Sequence, residues 1–195
     1  DSALVLTMVD ISKFDESPSH TLAIKLLANL TRHRLNTKIV VFKQQIIVPA
    51  LVVAAEATND ETRLYACYAL QNLSQDKSCR QELAITDNLI TALCSRSREA
   101  RVEEERLAAV SALKNLCDEP ANLIPLTNTR DCISTLMQLA HGNEEGVSDT
   151  TQYRACDGLA TLSHWLRKIA TSGKTLDDAK CGKQPTRDLF TPSLQ

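Results

Sequence analysis

Glycine and proline are scarce in this chain. Five of one and six of the other among 195 residues are too few for a fold that reverses direction every few residues, so a turn-rich β architecture is disfavoured and helices are favoured. Aromatic residues make up only 4%. No excess of one charge exists either: the formal net charge of −2 gives no bulk electrostatic reason to approach nucleic acid or a phospholipid surface. No apolar run approaches about 18 residues and no basic stretch opens the sequence, so neither a membrane span nor a signal peptide is expected. The seven cysteines are odd in number and form no Cys-x-x-Cys pair. That pattern favours free thiols in a reducing compartment, cytoplasmic or nuclear, over a disulfide framework. An opening Asp1 rather than Met suggests a piece of a longer protein. The length suits one sizeable core better than two domains.

What the chain does have is a repeat. Leu27-Ala28-Asn29-Leu30-Thr31 recurs after 43 residues as Leu70-Gln71-Asn72-Leu73-Ser74, and after 43 more as Leu113-Lys114-Asn115-Leu116-Cys117. A fainter copy, Leu159-Ala160-Thr161-Leu162-Ser163, follows after 46. A period of about 40–47 residues built from helices is the range of armadillo and HEAT arrays. Counting from the asparagine (or Thr161) as zero, position −6 is Ala23, Ala66, Ala109 and Ala155. Position −5 is Ile24, Cys67, Val110 and Cys156. Leucine holds −2 and +1 in every copy. At about 100° per residue these positions share one stripe of a helix, which predicts an amphipathic helix in each copy. A recurring alanine in that stripe permits close approach of helix axes. Position zero points away from the stripe, so the asparagines are expected off the core, in a row along one edge. Small residues at +2 (Thr31, Ser74, Cys117, Ser163) are attributed to tight packing.

Between copies, Ile47–Leu51, Leu89–Leu93 and Cys132–Leu136 align and predict the opening of a second helix, with Pro49 in a first turn where its missing N–H costs nothing. Shorter apolar pieces precede them at 39–42, 82–85 and 123–126, predicting a third, short helix per unit. Ser17-Pro18 is expected as an N-cap and first turn, and residues 2–12 as a second helix without its first. "HGNEEGVSDT" (His141 to Thr150) absorbs the longer last interval as a loop. The region 1–171 is expected to hold the repeats, and 172–195, polar and aperiodic, to form a mobile tail.

These motifs resemble the armadillo family, whose unit runs short helix, Gly-Ala-Ile-Pro-x-Leu-Val-x-Leu-Leu, then a long helix ending Ala-x-x-Ala-Leu-x-Asn-Leu. Asn36 to Gln75 carries the likeness most fully. The family's glycine between first and second helices is replaced by Asn88 and Asp131, which tolerate left-handed backbone, and by Ile46 in the first copy. The resemblance implies an all-α, right-handed α-solenoid of about four partly truncated repeats. It also implies a concave groove lined by the long helices, in which the asparagine amides pair with the backbone of an extended peptide. The groove edge then carries Asn29, Lys25 and Leu22; Asn72, Tyr68 and Tyr65; Asn115, Ser111 and Ala108; and Thr161, Asp157 and Arg154. The peptide-binding residues on this basis are Asn29, Asn72, Asn115, Lys25, Tyr68, Tyr65 and Ser111. Lys25 and the lack of tryptophan at −4 point to an acidic or polar segment. Import adaptors carry tryptophan at −4, whereas Lys25, Tyr68, Ser111 and Asp157 stand there here, so a catenin-like scaffold or adaptor is implied in preference. The competing class is the regulatory or substrate-recruiting region of a larger enzyme such as a ubiquitin ligase or kinase.

Other motifs carry less. Asn29-Leu30-Thr31 and Asn72-Leu73-Ser74 match the N-glycosylation pattern but fall inside predicted helices. Gly173-Lys174-Thr175 lacks the earlier glycine of a phosphate loop, since Lys168 stands five residues before it. The cysteines are expected as small buried apolar groups at core positions, Cys67 and Cys156 among them, with no spacing suited to metal. The four histidines form no cluster with a nucleophile, and the mixed charges of Ser95–Arg106 suit a solvated loop and helix start. No catalytic residue, cofactor, small-molecule substrate or nucleic-acid partner is expected.

Overall fold

The computed structural model describes residue 10 and residues 18–32, 44–142 and 146–172. Those residues are mostly helical, with no strand among them. In chain order the helices are α1 (Pro18–Thr31), α2 (Gln44–Ala55), α3 (Asp60–Gln75), α4 (Arg80–Ile85), α5 (Leu89–Glu99), α6 (Glu103–Cys117), α7 (Leu123–Asn128), α8 (Cys132–His141) and α9 (Asp149–Ser172). A single 3₁₀ turn, Pro120–Asn122, leads into α7.

The helices form two rows. α1 packs on α3, α3 on α6 and α6 on α9; separately, α2 packs on α5 and α5 on α8. The rows meet where α2 lies on α3, α5 on α6 and α8 on α9. The short α4 sits against α3, α5, α6 and α7. The alanine at −6 is fully buried in α3, α6 and α9 and nearly so in α1, and the leucines at +1 of α3, α6 and α9 are buried with it. This sets the expected stripe in the seam between the rows.

Local chemistry accounts for the ends. Asn59 caps α3, its Oδ1 accepting from the Thr62 amide at 3.0 Å, and acidic residues occupy the first turns of α3 and α6, where they oppose the positive end of the helix dipole. Asn88 adopts left-handed backbone (φ 60°) ahead of α5, as its place in the glycine position predicted. Asp131 does not: at φ −107°, ψ 0° it turns the chain in the bridge region. α8 stops at Gly142 (φ 66°).

Two expectations need correction. Pro49 is not in a first turn: α2 begins at Gln44, so the proline lies inside the helix and Ile46 is within it, half exposed. A helix interior loses one backbone hydrogen bond at proline, and the strongly apolar run Ile47–Ala55, largely buried, offsets that loss. Cys156 is exposed, unlike its counterparts Cys67 and Val110, because no further helix covers that side of α9 among the described residues. The expected helix at 2–12, apart from residue 10, and the expected helix at 39–42, the Ser17 cap and the tail from residue 173 lie outside the described residues.

Candidate functional site

The asparagines occupy the junctions between successive long helices. Asn72 Nδ2 on α3 donates to Thr31 Oγ1 of α1 at 3.2 Å and to the Ala28 carbonyl at 3.4 Å. Asn115 Nδ2 on α6 donates to Ser74 Oγ of α3 at 3.0 Å. Thr31 and Ser74 each give their own hydroxyl hydrogen to a carbonyl three residues back, at 2.7 Å, so their lone pairs are left to face the next helix. The small residue at +2 is thus an acceptor as well as a packing device. Asn72 and Asn115 are half-buried and Asn29 exposed. No partner engages Oδ1 of either Asn72 or Asn115 among the described residues.

The fourth copy solves the same junction differently. Thr161 is too short to cross and gives its hydroxyl to the Asp157 carbonyl in its own helix at 2.9 Å. One turn later, Trp165 Nε1 donates to the Cys117 carbonyl at 3.2 Å. The indole therefore reaches the residue at +2 of α6, through its main chain. Gly158 brings α9 close here: a Cβ on it would lie 3.7 Å from Cys117 Sγ and 3.8 Å from Lys114 Cα.

Around the asparagines the expected groove residues divide. Lys25 Nζ lies 4.9 Å from the centre of the Tyr65 ring and 3.5 Å from Glu61 Oε1; the Tyr65 phenol first, and Glu61 with it, raises the lysine above its ordinary pKa. Tyr65 and Tyr68 stand with ring centres 6.3 Å apart, tilted by 59°. Burial, then the nearby Glu104, raises the Tyr68 phenol. Leu22 and Arg154 reach the surface, but Ser111 and Ala108 are buried, so that stretch of α6 presents Glu104 and Asn115 instead. Asp157 is tied to Lys114 at 3.2 Å, and the same ammonium meets Asp118 at 3.0 Å. Burial opposes the lysine charge, and the two carboxylates outweigh it, raising the pKa.

A second constellation escaped sequence reasoning. Arg63 and Arg106 stand 43 residues apart, each three residues after an acid that it pairs with, Asp60 and Glu103. Each also reaches back to carbonyls just past the end of the preceding second-row helix. Arg63 Nη1 binds the Ala57 and Thr58 carbonyls at 2.9 Å, and Arg106 Nη2 the Ala100 carbonyl at 2.8 Å. Arg63 Nε also binds Glu105 Oε1 at 3.3 Å, and Arg96 approaches the same oxygen at 3.8 Å. Glu105 is fully buried; burial raises its carboxyl above the ordinary range, and the two guanidinium groups only partly counter that. The recurring acid-x-x-Arg at the start of a long helix was the available signal.

On the second row, a cleft of about 500 Å³ lies between α2 and α5, lined by Val52, Val53, Glu56, Asn88, Thr91 and Ser95 among others. It is remote in sequence register from the asparagine row. The six described cysteines are free thiols. Burial pushes Cys117 up to about 12 and Cys67 higher. Among the described residues no three His, Cys, Asp or Glu side chains converge to hold a metal ion, and no helix is long and apolar enough to cross a membrane. No protein-family model matches the chain, and no curated protein matches it either.

Proposed function

We propose that the chain is an armadillo-type α-solenoid acting as a scaffold or adaptor, and that the face along α1, α3, α6 and α9 binds an extended segment of a protein partner. The observation that carries this reading is the setting of Asn72 and Asn115. Each amide is fixed through Nδ2 to a hydroxyl on the preceding helix, and Asn72 to the Ala28 carbonyl as well, which leaves Oδ1 of both and a second N–H of Asn115 for a ligand. Both stand in the same relation to their neighbours one unit apart, and pairing through a backbone amide is indifferent to ligand side chains.

Choice among partners then falls to Lys25, Tyr65, Tyr68 and Glu104. Because Lys25 is already paired with Glu61 and covers Tyr65, a polar segment suits this face better than a strongly acidic one. The free thiols suit a reducing, intracellular setting. Selection of linear peptides from a displayed library, followed by calorimetry on the triple variant Asn29, Asn72 and Asn115→Ala, tests the reading. The variant should keep its helical circular dichroism and lose affinity by about 0.5–1.5 kcal/mol per amide. Selected peptides that bind wild type and triple variant equally would make the asparagines purely structural.

A further inference from the structure

The repeat supplies an internal comparison along the second row. At the α2–α5 junction, Leu51 and Ala55 of α2 and Leu89 and Ala92 of α5 are all buried aliphatic residues. The same positions 43 residues on, at the α5–α8 junction, are Cys94, Arg98, Cys132 and Thr135. A set of four hydrocarbon side chains in one unit is replaced in the next by two thiols, a guanidinium and a hydroxyl. Packing alone does not ask for that exchange, since buried polar atoms need partners that leucine and alanine do not.

Those partners are present. The thiols of Cys94 and Cys132, both buried, hydrogen-bond to one another, and Cys94 bonds to the Thr135 side chain as well. Arg98, one turn along α5 from Cys94, donates from Nη1 to Thr135 Oγ1 at 2.6 Å and lies 4.0 Å from Asp131, the residue ahead of α8. Its side chain is 29% exposed, so the guanidinium runs from solvent to the hydroxyl beside the thiols. The two sulfurs are unequal. The bond from Cys132 outweighs burial and, with Thr135 and Arg98, holds the Cys94 thiol below its ordinary range; the same bond, and burial after it, pushes Cys132 above. Cys94 is thus the sulfur that ionises and Cys132 the one that keeps its proton. Cys117 of α6 lies near enough to interact with both charges, but no hydrogen bond joins its thiol to either among the described residues.

We infer that Cys94 and Cys132 form a redox-sensitive clamp, closing to a disulfide between α5 and α8 when hydrogen peroxide reaches them and reopening under thiol reductants. Cys94, as thiolate, attacks one peroxide oxygen. The O–O bond breaks, leaving a sulfenic acid on Cys94 and a hydroxide that takes up the proton Cys94 had released. The Cys132 sulfur then attacks the Cys94 sulfur, and its proton leaves with the sulfenic hydroxyl as water. Two thiols and one peroxide thus give one disulfide and two waters; each sulfur gives up one electron and the peroxide takes both. Burial selects the oxidant, admitting a molecule close to water in size and excluding bulkier disulfides such as oxidised glutathione. The new bond ties second-row helices of successive units and closes a loop of about 40 residues in the unfolded chain, which stabilises the folded one. In a reducing compartment the clamp stands open and its closure is transient.

Brief treatment of the full chain with hydrogen peroxide, followed by non-reducing digestion and mass spectrometry, tests this. The peptides carrying Cys94 and Cys132 should appear joined, with the loss of two hydrogens, and dithiothreitol should separate them again. The oxidised chain should melt at a higher temperature than the reduced chain, whereas oxidised glutathione should leave the pair open in the native protein. Arg98→Gln and Thr135→Val keep both thiols in place and should slow closure several-fold. A cross-link through Cys117 overturns the proposal, as does oxidation of the two thiols separately with no bond between them. So does a pair that keeps its hydrogens until the chain unfolds, or closure at the wild-type rate in both variants. Wild type decides the linkage by itself, so the result stands even if a variant fails to fold.

Discussion

Replacing Glu105 separates the loss of a buried acceptor from the loss of a buried charge. Its carboxylate is sealed between α3, α5 and α6, with Arg63 Nε at 3.3 Å and Arg96 at 3.8 Å from one oxygen. Breaking a buried pair from one side costs about 3–5 kcal/mol, because the remaining charge is stranded. Here both arginines retain other partners: Arg63 keeps Ala57, Thr58 and Asp60, and Arg96 keeps Glu99 at 2.8 Å. The cost of Glu105→Ala is therefore placed at the lower end, about 3 kcal/mol, equivalent to a fall in melting temperature of about 6–12 °C for a chain of this size. Glu105→Gln keeps an acceptor for Arg63. Burial already holds the carboxyl above its ordinary value, so surrendering the charge should cost under about 1 kcal/mol at neutral pH. The pH dependence has a definite sign. A carboxyl raised on folding contributes stability that is present below its unfolded pKa and lost as pH rises through the folded value. Glu105→Gln should flatten that contribution. Urea titrations at several pH values measure all of this, and equal losses for Ala and Gln, or a silent Ala variant, would refute the account.

Ala109→Leu should overpack the seam between the rows and cost about 1–3 kcal/mol, visible as a lower urea midpoint, whereas Val53→Ser on the exposed side of α2 should leave the midpoint unchanged. Gly158→Ala should stabilise α9 by about 0.5–1 kcal/mol in thermal melts, since the added Cβ meets its neighbours at ordinary contact distances of 3.7–3.8 Å; destabilisation would mean that α6 and α9 lie closer than described. Timed alkylation read by mass spectrometry should modify Cys156 first, with Cys67 and Cys117 reacting only on unfolding, because burial holds those thiols protonated.

Periodicity made the long helices legible, since leucine, alanine and leucine at fixed offsets specify one buried stripe whatever surrounds it. Asn88 was legible for a similar reason: a left-handed turn admits few residues other than glycine and asparagine. What escaped was chemistry shared between units. The role of Thr31 and Ser74 as acceptors depends on a residue more than forty positions away, and a hydroxyl at +2 looks like packing until the neighbouring helix is in place. Cys156 misled because the stripe describes which side of a helix is fit to be covered, while coverage itself depends on a neighbour. The expected first-turn place of Pro49 failed because the helix starts at Gln44, about one turn ahead of the aligned Ile47–Leu51 motif. Among the expected groove residues, Lys25, Tyr65 and Tyr68 lie against one another, while Ser111 is withdrawn into the core by the close approach of α3 and α6.

The change of anchor at the α6–α9 junction has a consequence for how the sequence can drift. At the first two junctions a side-chain oxygen receives the bond, so substitutions at Thr31 and Ser74 are confined to residues that carry one. At the third the indole holds a main-chain carbonyl, which every amino acid supplies. Position 117 is therefore free to vary in chemistry so long as it stays small, and the constraint passes to Trp165, the sole tryptophan in the chain. Genetic selection for folded variants should accordingly record alternative residues at 117, few at 31 and 74, and almost none at 165.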